Sequence, residues 1–95
     1  MEVKVVLKRR VKKSVHDQLE PLLKQLRQMA MSQPGYISGQ TLVNIENPND
    51  FIVISNWKSR AEWLTWFESD ERKQVQIHVD YLLFEDTQYE IYKQS

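Results

Sequence analysis

Phe51-Ile52-Val53-Ile54-Ser55-Asn56-Trp57-Lys58-Ser59 is the stretch on which the fold turns. Its first four residues are all apolar, so a strand from Phe51 to Trp57 has two apolar faces rather than one. Such a strand needs cover on both sides. The turn cluster Asn47-Pro48-Asn49-Asp50 joins it to a preceding strand, Tyr36 to Glu46, with Ile37, Thr41, Val43 and Ile45 on one face and Tyr36, Gln40, Leu42 and Asn44 on the other. On its far side Ser59 and Glu62 form a capping box, which opens a helix running through Glu68.

Upstream, Val3, Val5 and Leu7 alternate with Lys4 and Lys8, which predicts a strand over residues 2–11. Leu19, Leu22, Leu23, Leu26, Met29 and Ala30 recur at helical spacing and predict a helix near 15–31. Ser14 is its expected N-cap and Asp17 favours its N-terminal dipole. Pro21 either kinks the first turn or opens a regular helix that starts at Glu20. Gln33-Pro34-Gly35 ends the helix. Downstream, Ser69-Asp70 caps a short helix over 71–79, and Tyr81 to Lys93 is predicted as one strand or two pieces. Its opening run, Tyr81-Leu82-Leu83-Phe84, is again apolar on both faces.

The order β-α-β-β-α-β is the ferredoxin-like split arrangement, an α+β fold with an antiparallel sheet, in a single domain spanning 1–95. Two helices cover one face of such a sheet. The second apolar face is expected to meet the sheet of a second copy, making the protein a homodimer. Tyr89, Ile91 and Tyr92, an apolar cluster in the last strand, are expected to pack on that partner.

Composition narrows the function. The 95 residues carry 13 basic and 13 acidic side chains, so no global field points to nucleic acid. The charges are nonetheless segregated: residues 1–31 hold eight basic and three acidic side chains, and residues 46–95 hold five and ten, which invites association between copies. The basic run Lys8 to Lys13 has no interleaved aromatics to stack bases, and is expected to be a solvated strand end with Lys at an edge. With no cysteine, disulfides, thiolate metal sites and a Cys nucleophile are excluded. No G-x-S-x-G, His-rich or acidic metal motif occurs, and apolar runs are too short for a membrane helix. Met1-Glu2-Val3-Lys4 does not open a signal peptide, so the expected location is cytoplasmic.

Three residues stand out as site candidates. Trp63, Trp66 and Phe67 lie at i, i+3 and i+4 on the second helix, a stripe that reads either as core or as one wall of a cavity for a flat aromatic molecule. The spacing alone leaves both readings open for Trp66. His78, near the end of the third helix, is either a cation at the helix C-terminus or a general acid or base facing the cavity. Asn56 either hydrogen-bonds a substrate or satisfies backbone at a strand end. His16 is expected to be exposed and without a role.

Pro34-Gly35-Tyr36, an apolar strand closing on Trp57-Lys58-Ser59, and Trp66 nine residues later resemble the antibiotic biosynthesis monooxygenase domain. The resemblance covers nearly the whole chain. It implies a dimeric α+β barrel with a substrate cavity between sheet and helices, in which several members oxidise aromatic polyketides or quinols with molecular oxygen and no metal or flavin. Trp57-Lys58-Ser59, Trp66, Ser69-Asp70 and His78-Val79 are most similar to a haem-degrading branch, where Trp66 matches a catalytic Trp. That branch's proximal His position falls on Gln76, two residues and about 200° of helix from His78, and its strand-one Asn falls on Leu7 or Lys8. The quinol-oxidising branch usually has His where Trp66 stands. The family position nonetheless favours Trp66 as the cavity wall, with Trp63 and Phe67 anchoring the helix and only a modest loss of stability expected on its truncation. The expected function is a cofactor-independent monooxygenase for an aromatic or quinol-like substrate, with Trp66, His78 and Asn56 at its site. The alternatives are a haem-binding or haem-degrading protein and a non-catalytic binding module.

Overall fold

The computed structural model describes residues 1–83 and 85–95. Eight elements follow one another: β1 (Val3–Arg10), a single 3-10 turn (Lys13–Val15), α1 (His16–Met31), β2 (Tyr36–Val43), β3 (Asp50–Trp57), α2 (Arg60–Phe67), α3 (Asp70–Leu82) and β4 (Gln88–Lys93). The strands form one antiparallel sheet in the order β2-β3-β1-β4. This is the ferredoxin-like α+β fold, with β1 and β3 central.

Alternation along the central strands decides what faces the helices. Val5 lies opposite Ser55, Leu7 opposite Val53 and Arg9 opposite Phe51. The buried members of this face, Val3, Val5 and Trp57, cluster with Leu19 and Leu26 of α1, Trp63 and Trp66 of α2, and Val75 and Val79 of α3. All three helices therefore cover the same face. The other face carries Val6 opposite Ile54, and Ile52 between Lys8 and Leu42. Val6, Ile52 and Ile54 are only half-buried, and Leu42 is exposed.

Several local expectations are corrected. Ser14 lies in the 3-10 turn, and α1 begins at His16 with Val15 at its N-cap and no side-chain cap. The helix runs through Pro21 without a new start. Pro21 and Asp17 are both exposed, so water can satisfy the Asp17 carbonyl that Pro21 cannot reach. Helix α3 extends three residues beyond the predicted end, because Val75, Val79 and Leu82 keep one apolar stripe against the core. Tyr81 and Leu82 are thus helical rather than strand, and Leu83 ends the helix with extended backbone. Phe84 lies outside the described residues. Only β3 keeps the doubly apolar character read from the sequence. Tyr89 packs within its own chain, against Trp63 and Phe67, while Ile91 and Tyr92 are exposed.

The basic run is also resolved. Because β1 is central, the run is no sheet edge: Lys8 pairs with Glu90 at 2.8 Å, and Arg10 with Asp50 at 2.7 Å and Glu85 at 3.3 Å. Part of the segregated charge is matched within the chain, between neighbouring strands. Both caps of the later helices form as expected. The Glu62 amide donates to Ser59 Oγ at 3.2 Å, and the Arg72 amide to Ser69 Oγ at 3.2 Å.

Candidate active site

A cavity of about 610 Å³ opens between the sheet and the helices, within the size range of small-molecule sites. Leu7, Val53, Ser55 and Trp57 of the sheet form its floor, and Leu19, Leu23, Leu26 and Ala30 of α1 form one side. Trp63 and Trp66 of α2 and Arg72 and Gln76 of α3 complete the wall, with Arg9 at the end of β1.

Strand β2 reaches the cavity through an irregularity. Tyr36 pairs with Trp57 and Ser38 with Asn56, so two residues of β2 span one step of β3. This bulge moves Tyr36 onto the face of Gly39 and Thr41, away from the Gln40 and Leu42 face that simple alternation assigned it. Tyr36 meets Trp57 edge-on, with ring centroids 5.4 Å apart. A Cβ at Gly39 would come within 2.6 Å of the Tyr36 hydroxyl, so only glycine lets this ring lie down across β2. The turn before it depends on Gly35, whose φ of 89° is unfavourable for other residues. A Cβ there would also stand 2.5 Å from the Glu62 carboxyl. Gly35 thus docks the β2 turn against the first turn of α2, and the Lys58 amide donates to its carbonyl at 2.8 Å.

Trp57, Trp63, Phe67 and Tyr89 form a continuous chain of ring contacts, with centroids 5.0 to 6.1 Å apart. Trp66 has no ring partner among the described residues and lines the cavity instead. It is nevertheless only 4% exposed, so wall and core coincide in this side chain. The expected low cost of truncating it is corrected accordingly.

The other two candidates are not brought to the cavity. His78 lies on the exposed side of α3, whose buried stripe is Arg72, Val75, Gln76 and Val79. Asn56 points to the opposite face of β3 from Ser55 and Trp57, where its amide donates to Ser38 Oγ at 3.0 Å. His16, given no role from sequence, borders the cavity mouth from an exposed position.

The buried polar groups that line the cavity are Arg9, Ser55, Arg72 and Gln76. Ser55 Oγ accepts the Trp57 indole N–H at 3.0 Å. Arg72 donates to the Phe67 carbonyl at 3.2 Å, to Gln76 Oε1 at 3.4 Å and to the Tyr89 hydroxyl, with its guanidinium 4.5 Å above the Phe67 ring. Gln76 in turn donates to Asp80 at 2.7 Å. Burial lowers the pKa of both arginines from the ordinary guanidinium value, and the charge of Arg72 lowers Arg9 further. Both remain cations at neutral pH. Period two carries Arg9 onto the face of Val3, Val5 and Leu7, and helical spacing carries Arg72 onto that of Val75, Gln76 and Val79.

The residues do not fit axial haem ligation from α3. Gln76 occupies the inward position there with its amide engaged on both sides, and the His78 imidazole faces away.

The antibiotic biosynthesis monooxygenase family model matches residues 2–76. The chain belongs to that family. The 42.8 kDa protein in the whiE locus of Streptomyces coelicolor is 32% identical over 69 residues, which are 73% of this chain and 17% of that protein. Protein SchA of Streptomyces halstedii is 27% identical over 73 residues, 77% of this chain and 19% of its own length. The chain therefore spans less than a fifth of the curated relatives it matches. A conserved protein from Methanosarcina mazei Go1 superimposes with a TM-score of 0.91 at 23% identity, over 100% of this chain and 94% of that one. SnoaB, a cofactor-independent oxygenase from Streptomyces nogalater, superimposes with a TM-score of 0.84 at 14% identity, over 99% and 93% of the two chains. These structural likenesses establish a shared fold.

Proposed function

We propose that this family member is a homodimeric, cofactor-independent monooxygenase that oxidises a flat aromatic or quinol-like molecule with molecular oxygen. The observation that carries the reading is the cavity itself: its wall includes Trp57, Trp63 and Trp66, and buried guanidinium groups stand among apolar side chains. Such a site strips water from an electron-rich ring and favours its deprotonated form, from which electrons pass to oxygen. In the overall reaction one oxygen atom enters a ring carbon and the other leaves as water. The four electrons required come from the substrate carbon as it becomes a carbonyl. Trp66 would hold the ring. His78 and Asn56, proposed from sequence as proton carrier and polar contact, are less well placed than Arg9, Arg72 and Ser55.

The homodimer is supported by the half-buried Val6, Ile52 and Ile54 on the sheet face without helices.

Incubating the purified protein and a chelator with anthrone under isotopically labelled dioxygen tests the chemistry. One labelled oxygen atom in each molecule of quinone product is expected. Unlabelled quinone, or a rate no higher than that without protein, would overturn the reading.

A further inference from the structure

We propose that Arg9 and Arg72 form an anion subsite at the end of the cavity where β1 meets α3, selecting flat aromatic ligands that carry an anionic oxygen. The inference rests on the proposed function, whose substrate class it narrows.

Arg9 is 7% and Arg72 6% exposed, and both line the cavity. Among the described residues neither makes an ion pair: the salt bridges of this region belong to Lys8 and Arg10, on the opposite face of β1. The carboxylate of Asp80 acts on both arginines only at a distance, and its own hydrogen bond is with Gln76. A buried guanidinium without a counter-ion is costly, and a second one beside it adds repulsion. The two are held in different ways. Arg72 is fixed by Phe67, Gln76 and Tyr89. Arg9 is tied only through Nε, which donates to Thr87 Oγ1 at 3.3 Å, and its two η nitrogens have no hydrogen-bond partner among the described residues. A fork of free N–H donors beside an oriented second cation, at one end of an apolar aromatic slot, suits a carboxylate or phenolate oxygen on a flat ring.

Quenching of tryptophan fluorescence near neutral pH by naphthoate, naphthamide and naphthol tests the assignment, since indoles line the cavity. Naphthoate is expected to bind at least about tenfold more tightly than the isosteric, neutral naphthamide. In Arg9→Gln and Arg72→Gln that preference should shrink to about threefold or less while naphthamide affinity holds. Should either variant fail to fold, the preference in the unaltered protein and its weakening by salt carry the same test. Naphthol distinguishes the two sources of the anion. A naphtholate absorption band on binding marks a phenol as ligand, and a naphthoate preference without that band marks a carboxylate. Equal affinity for naphthoate and naphthamide would overturn the anion subsite and leave the aromatic site standing. No quenching by any of the three would overturn both.

Discussion

The indole N–H of Trp57 donates to Ser55 Oγ at 3.0 Å, two inward-facing residues of one strand bonded to each other beneath the cavity. Trp57 is fully buried, so its N–H has no water to fall back on. Ser55→Ala would leave that donor unpaired and is expected to cost about 1–3 kcal/mol, read from urea melts. Ser55→Gly should cost more, because it also loosens the central strand.

Trp66 is expected to behave as core and site at once. Its burial places Trp66→Ala at about 3–5 kcal/mol of lost stability. Trp66→Phe retains an aromatic wall and should fold, with weaker quinol affinity and a smaller loss of stability than Trp66→Ala. A stable Trp66→Ala with undiminished ligand binding would move the site elsewhere.

How far this was visible beforehand depends on the residue. The order of elements followed from Pro34-Gly35, the turn cluster 47–50 and the two serine caps, since each is a local signal with a local cause. Tyr81 and Leu82 were misplaced because a short apolar run has no period of its own; the stripe from Val75 settles it only once α3 has something to pack on. Trp66 was legible as a cavity wall. Asn56 and His78 were drawn in by their chemistry, although period two turns Asn56 away from Trp57 and about 200° of helix separates His78 from Gln76. Tyr36 reached the cavity through a bulge, which shifts a face by one residue and leaves no mark in hydrophobic alternation. Arg9 lay hidden in a basic run whose neighbours, Lys8 and Arg10, do face outward.

Alkaline pH should expose the coupling of β4 to α3. Burial raises the pKa of the Tyr89 phenol, against the opposing charges of Arg72 and Arg9. A phenol with a raised folded pKa contributes stability below the unfolded value of about 10 and loses it as pH rises through the folded value, because the unfolded chain gives up the proton first. Melting temperature should therefore fall as pH rises past about 10, and fall less steeply in Tyr89→Phe. Tyr92, at the surface and raised through its hydrogen bond to Glu90, serves as the comparison: Tyr92→Phe should change the profile less.

Light scattering should give about twice the 11.4 kDa chain mass. Ile54→Asp, on the face without helices and opposite Val6, is expected to yield folded monomer, since within one chain that side chain supports no helix. A monomeric unaltered protein would contradict the paired-sheet account.

The central claim is that chemistry takes place in the cavity between sheet and helices, and filling that cavity tests it most directly. Leu23 of α1 lines the space and carries no polar group of its own. Oxygen uptake with anthrone should be well above the protein-free rate for the unaltered chain and should fall to that rate in Leu23→Trp, with the fold intact by circular dichroism. Undiminished oxygen uptake by a folded Leu23→Trp would contradict the account.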